Sequence, residues 1–137
     1  MVRNYVKDGF YKQDEDYKFE LLGEMVKLMC QYYEAEASII QKAESNGYDP
    51  TTKTMYLLNT SIISCLHELR HHLQHVIGKR KEGLTAEQDA HAWSIRAFAK
   101  ACPNMFLKAV KEGRIWALVW DEETGQVINN PIYSQIQ

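Results

Sequence analysis

Two histidines stand four residues apart in the pentapeptide His67-Glu68-Leu69-Arg70-His71. On an α-helix that spacing stacks both imidazoles on one face, one turn above the other. Both can then point at one small cation. Glu68 sits at the edge of that face, within reach of a water on the ion. Two nitrogen ligands, an open position for water and a carboxylate to take its proton are the working parts of a zinc hydrolase. Zn2+ is therefore the expected cofactor, with His67 and His71 as ligands and Glu68 as catalytic base. All five histidines fall between His67 and His91, which concentrates the expected chemistry in that stretch. The plain alternative is a solvated helix whose His71, His72 and His75 are merely hydrated.

Two histidines alone make a poor catalytic zinc site, so a third protein ligand is expected from a separate element. Glu87-Gln88-Asp89-Ala90-His91 offers three donors. Glu87 and His91 are four apart and share a helix face, whereas Asp89 points largely away. Glu87 is the favoured ligand. His91 is expected beside it, in contact with a ligand or as an alternative ligand, and Asp89 is the remaining alternative. An acid at Glu87 also suits the first turn of a helix through the dipole alone. A second oxyanion donor is usually needed; Tyr56, His75 and Tyr133 are candidates among which the sequence does not choose.

Elements must hold these side chains in place. Ile62, Ile63, Cys65, Leu66, Leu69, Leu73, Val76 and Ile77 recur at helical spacing and form a broad apolar face, with His67 and His71 at its border. Asn59 or Thr60 is the expected N-cap of that helix, and Gly78 its stop. Thr85-Ala86-Glu87-Gln88 matches a capping box that opens the next helix, with Ala90, Trp93, Ala97, Phe98 and Ala101 on its apolar side until Pro103. Met105–Lys111 reads as one more short helix.

Upstream, Met1–Gln13 reads as an extended arm or hairpin. Asp14-Glu15-Asp16 opens a long helix whose apolar residues, Phe19 through Ile39, Ile40 and Ala43, continue to a stop at Asn46-Gly47. Tyr48-Asp49-Pro50 reads as a turn, and Thr52–Leu58 as a strand. That strand is expected to accept an extended substrate by strand addition. Ile115–Trp120 and Gln126–Ile128 read as strands around the turn-forming Asp121–Gly125. The expected class is α+β, with helices packed on a small, mostly antiparallel sheet.

The chain has 137 residues, 45% hydrophobic and 25% charged, the profile of one globular domain over 1–137. A formal net charge of −2 gives no support to direct nucleic-acid binding. No stretch is long and apolar enough to span a bilayer, and Met1–Tyr5 does not open a signal peptide, so no membrane partner and a cytoplasmic location are expected. Cys30, Cys65 and Cys102 sit in apolar helical contexts and read as buried thiols.

The HExxH helix, followed by Glu87-Gln88-Asp89-Ala90 on a second helix, resembles the ImmA/IrrE family of small zinc metallopeptidases. The resemblance covers about the middle third of the chain. It implies a zincin-like fold, zinc held by His67, His71 and Glu87, and Glu68 as base. Members of that family are often encoded on phages and other mobile elements or act in stress responses, and some cleave a repressor.

The leading expectation is thus a metalloendopeptidase acting on a protein or peptide substrate. The alternative is a binding or inhibitor protein of a phage or mobile element that sequesters its partner without cutting it.

Overall fold

The computed structural model describes residues 9–115 and 117–130. The chain is α+β. Among the described residues the α-helices are α1 (Glu15–Tyr32), α2 (Ile62–Ile77), α3 (Ala86–Ala101) and α4 (Pro103–Lys111). A three-stranded sheet combines β1 (Ile39–Lys42), β2 (Gly47–Asp49) and β3 (Thr54–Leu57), and a separate hairpin pairs β4 (Leu118–Asp121) with β5 (Gln126–Asn129).

Helix α2 runs through the middle of the core. Its Ile62, Cys65, Leu66, Leu69 and Leu73 are fully buried. Leu22, Met25 and Val26 of α1, Met55 and Leu57 of β3, and Phe98 of α3 belong to the same core. Removing this surface from water is the main drive that holds α2 in place. Ser61 caps the helix by accepting from the Ser64 N–H, and Gly78, at φ 67°, ends it in the left-handed conformation. The N-cap is therefore one residue past Thr60 and two past Asn59, the expected candidates. Asn59 instead accepts from the Ser61 N–H, and the Thr60 hydroxyl donates to Glu15. Tyr11, in a 3-10 turn over Phe10–Lys12, accepts from the Ile62 N–H. These bonds tie the start of α2 to the start of α1.

Three expectations for the first half need correction. The first helix ends at Tyr32 and does not continue to Ala43. Glu34 adopts a left-handed conformation at φ 55°, and the Ala35 N–H returns to the Cys30 carbonyl, which closes the helix. Ile39 and Ile40 then fall in β1, where β-branched residues fit well. Tyr48 and Asp49 are strand, not turn; the turn is Pro50–Lys53, where Asp49 Oδ1 accepts from the Thr51 N–H. Finally, β3 is the central strand of the order β1-β3-β2, parallel to β1 and antiparallel to β2. Both its edges are paired, so it cannot take up a substrate strand.

Helix α3 starts on the expected capping box. Thr85 accepts from the Gln88 N–H, and the Gln88 side chain accepts from the Thr85 N–H. Pro103 occupies the first turn of α4, where its missing N–H costs nothing. The β4–β5 hairpin forms as expected around Asp121–Gly125. The proposed arm over Met1–Gln13 lies mostly outside the described residues, as does Tyr133. No helix among the described residues is long and apolar enough to cross a membrane.

Candidate metal centre

Helices α2 and α3 pack side by side and bring their polar borders together at the floor of a cleft of about 820 Å³. His67 and His71 come from successive turns of α2. Glu87 comes from the first turn of α3, placed there by the Thr85 cap. The two Nε2 atoms are 3.2 Å apart. Glu87 Oε2 lies 3.2 Å from Nε2 of His67, and Oε1 lies 2.8 Å from Nε2 of His71. Three side chains thus converge, and this trio is the group among the described residues that could hold a metal ion.

The spacing suits a small cation. A tetrahedral ion with bonds of about 2.1 Å separates its donors by roughly 3.4 Å. Two imidazole nitrogens and a carboxylate oxygen are the ligand types of a catalytic divalent-metal site with one position left open. Burial pushes the His67 imidazole down in pKa, with Glu87 pulling the other way, which favours the neutral form a ligand must have.

Glu68 also lines the cleft but is itself buried. That burial raises its carboxyl pKa. His71 opposes the shift and Glu87 adds to it. A raised pKa makes the carboxylate a stronger base.

Neighbouring groups fix the frame. Gln74 Oε1 is 2.9 Å from Nδ1 of His71, and its Nε2 donates to the Ala86 carbonyl and to Asp89 Oδ2. Asp89 is fully buried and takes Nε and Nη2 of Arg70 at 2.7 and 3.2 Å, plus the Lys81 N–H at 2.8 Å. Burial alone would raise its pKa. The bonds from Arg70, Gln74 and Lys81 outweigh that and hold it well below the usual carboxylate range. Asp89 as an alternative ligand is therefore corrected: it faces away from the metal donors because its carboxylate neutralises Arg70 between the helices.

Comparison of the chain with protein-family models, with curated proteins and with solved structures gives no match.

Of the remaining candidates, His91 lies in the cleft lining one turn beyond Glu87, outside the converging trio. His75 also lines the cleft. Tyr56 does not belong to the lining among the described residues. It sits on the central strand, directly opposite Gly47 and Gln41. Tyr48, read from sequence as part of a turn, takes its place on the wall. Its hydroxyl is 2.7 Å from Nδ1 of buried His72, whose Nε2–H donates to the Glu36 carbonyl at 2.6 Å. Burial is the main cause that pushes the Tyr48 phenol up to about 12. No local pattern marked Tyr48, because its role depends on β2 lying beside α2. Gln74 did carry a signal, a polar residue one turn from a ligand on the same face.

Proposed function

We propose that this chain is a zinc-dependent metalloendopeptidase. The observation that carries the reading is the convergence of His67, His71 and Glu87 within 3.2 Å of one another at a cleft floor that also holds Glu68. His67, His71 and Glu87 would hold the ion through two nitrogens and one carboxylate. Bound there, zinc supplies Lewis acidity and brings the pKa of a coordinated water toward neutrality. Glu68 then accepts a proton from the attacking water, and returns it to the leaving amine as the peptide bond breaks. Its partly desolvated setting suits both transfers.

The substrate chain would lie in an extended form along β2. This strand is the sheet edge that borders the cleft, and Gly47 and Tyr48 line the wall. Main-chain bonds to an open edge need a flexible, unfolded segment in the substrate. The zincin-like fold implied by the sequence resemblance agrees with a mixed sheet packed against an HExxH helix and an antiparallel edge strand over the site. A repressor with an exposed loop is a fitting substrate.

Metal analysis and mass spectrometry test the reading. Purified protein should carry one zinc per chain. Incubation with candidate repressors should give discrete fragments with wild type and none with Glu68→Gln, which should retain zinc. Biological activity that survives Glu68→Gln would rule out proteolysis in favour of sequestration. Protein without stoichiometric metal would rule out the metal centre.

A further inference from the structure

A second cavity, of about 650 Å³, opens beside the first residues of α2. Ile63 lines both this cavity and the metal cleft. It precedes His67 by four residues, so the two share a helix face about 6 Å apart along the axis. That step matches about two residues of extended chain. A peptide whose scissile bond lies over His67 therefore reaches the second cavity without leaving the surface of α2.

The cavity has an apolar floor and a cationic rim. Phe98 of α3, Ala109 of α4 and Ile115 are buried and line it. Lys12, Lys108 and Arg114 also line it and are exposed. Glu112 is the acid of the lining, and it pairs with Arg114 Nη2 at 2.9 Å. No carboxylate among the described residues pairs with Lys12 or Lys108. These two lysines come from distant parts of the chain, the Phe10–Lys12 turn and α4, yet border one opening. The metal cleft has the opposite character: among the described residues its lining carries Glu68 and Glu87 and neither lysine nor arginine.

We infer that the second cavity is a recognition subsite that selects, about two residues from the bond to be cut, a large apolar residue with an acidic neighbour. The apolar side chain fills the floor, and the acidic one meets Lys12 and Lys108 at the rim. Charges at an exposed rim are screened by salt, so they discriminate between segments more than they add affinity. A basic segment is repelled there. The subsite role rests on the metallopeptidase reading, whereas the ligand chemistry of the cavity does not.

Binding can be read without metal or cleavage. Acetyl-Glu-Phe-Glu-amide and acetyl-Lys-Phe-Lys-amide are titrated into the full chain at low salt, with backbone amide resonances as the readout. The acidic peptide should shift Ala109 and Ile115 and bind about tenfold tighter than the basic one. Lys12→Glu combined with Lys108→Glu, both at exposed positions, should reverse that order in protein that circular dichroism shows to be folded. Equal affinities in wild type, silent Ala109 and Ile115 resonances, or an unchanged order in the double variant overturns the proposal. Cleavage of a random peptide library, read by mass spectrometry, then separates the subsite from the peptidase. Wild type should cut near apolar–acidic pairs, and the double variant near apolar–basic ones. Cutting without that preference overturns the subsite and leaves the peptidase standing. No cutting, with the acidic peptide bound as expected, ends the metallopeptidase reading and leaves the cavity a binding site for apolar–acidic peptides.

Discussion

Arg70 and Asp89 join α2 to α3 from the inside, with two guanidinium nitrogens on two carboxylate oxygens at 2.7 and 3.2 Å. Asp89 is fully buried and Arg70 nearly so. Removing one partner strands the other charge, which typically costs about 3–5 kcal/mol. Asp89→Asn keeps some of the hydrogen bonds and should lose about 3 kcal/mol in urea unfolding at neutral pH.

The sign with pH follows from the depressed Asp89 pKa. A carboxyl whose folded pKa lies below its unfolded value contributes stability above the unfolded pKa, about 3.9. That contribution is lost as pH falls toward the folded pKa. Wild type should therefore lose stability faster than Asp89→Asn below about pH 4. Urea midpoints at neutral and acid pH should draw together; a constant gap would show that the ion pair does not stabilise the fold.

Zinc binding should stabilise the folded chain by mass action. At a free concentration one hundred times Kd the gain is about 2.7 kcal/mol. Calorimetry should show a higher Tm with zinc for wild type and Glu68→Gln, and little or no shift for His71→Ala or Glu87→Gln. An equal shift in all four would place the ion elsewhere.

Tyr48 and His72 hold the edge strand β2 onto α2. Tyr48→Phe removes a hydroxyl and leaves the buried Nδ1 of His72 without that bond, a loss of about 1–3 kcal/mol. Hydrogen exchange should speed up at Gly47–Asp49 while α2 stays protected. With a cleaved peptide in hand, the same change should raise KM more than it lowers kcat, because in the proposed function β2 would bind the substrate and Glu68 would transfer the proton.

The cysteines on α1 and α2 should be unreactive. Burial pushes the Cys65 thiol up to about 12, with Glu68 adding to the shift, and raises that of Cys30. Thiolate is the reactive form. Native protein at about pH 8 should leave both residues unlabelled by iodoacetamide, and both should label once the chain is unfolded. Rapid labelling of native Cys65 would mean that the start of α2 opens readily.

Much of the centre is legible in local spacing. The helix through His67 and His71 follows from apolar residues at a helical period, and its end at Gly78 from the need for a positive φ. The capping box at Thr85 places Glu87 in a first turn without any tertiary information. The early half resisted because Ile39 and Ile40 fit a helical period as well as a strand. Helix α1 stops through a left-handed Glu34, a conformation that no glycine announces. Strand β1 exists only because β3 lies beside it.

Interactions between neighbours along the chain thus specify the paired imidazoles, their glutamate and the cap that positions the third donor. Packing between distant segments assigns everything else. It sends Asp89 to Arg70 and away from the metal donors, puts Tyr48 on the cleft wall, and sets β2 as the sheet edge beside the cleft. A helix period or a cap is satisfied within a few residues, so it leaves a pattern in the chain. A buried ion pair or a strand partner is satisfied across space, and many pairings meet the same local preferences until the core chooses one.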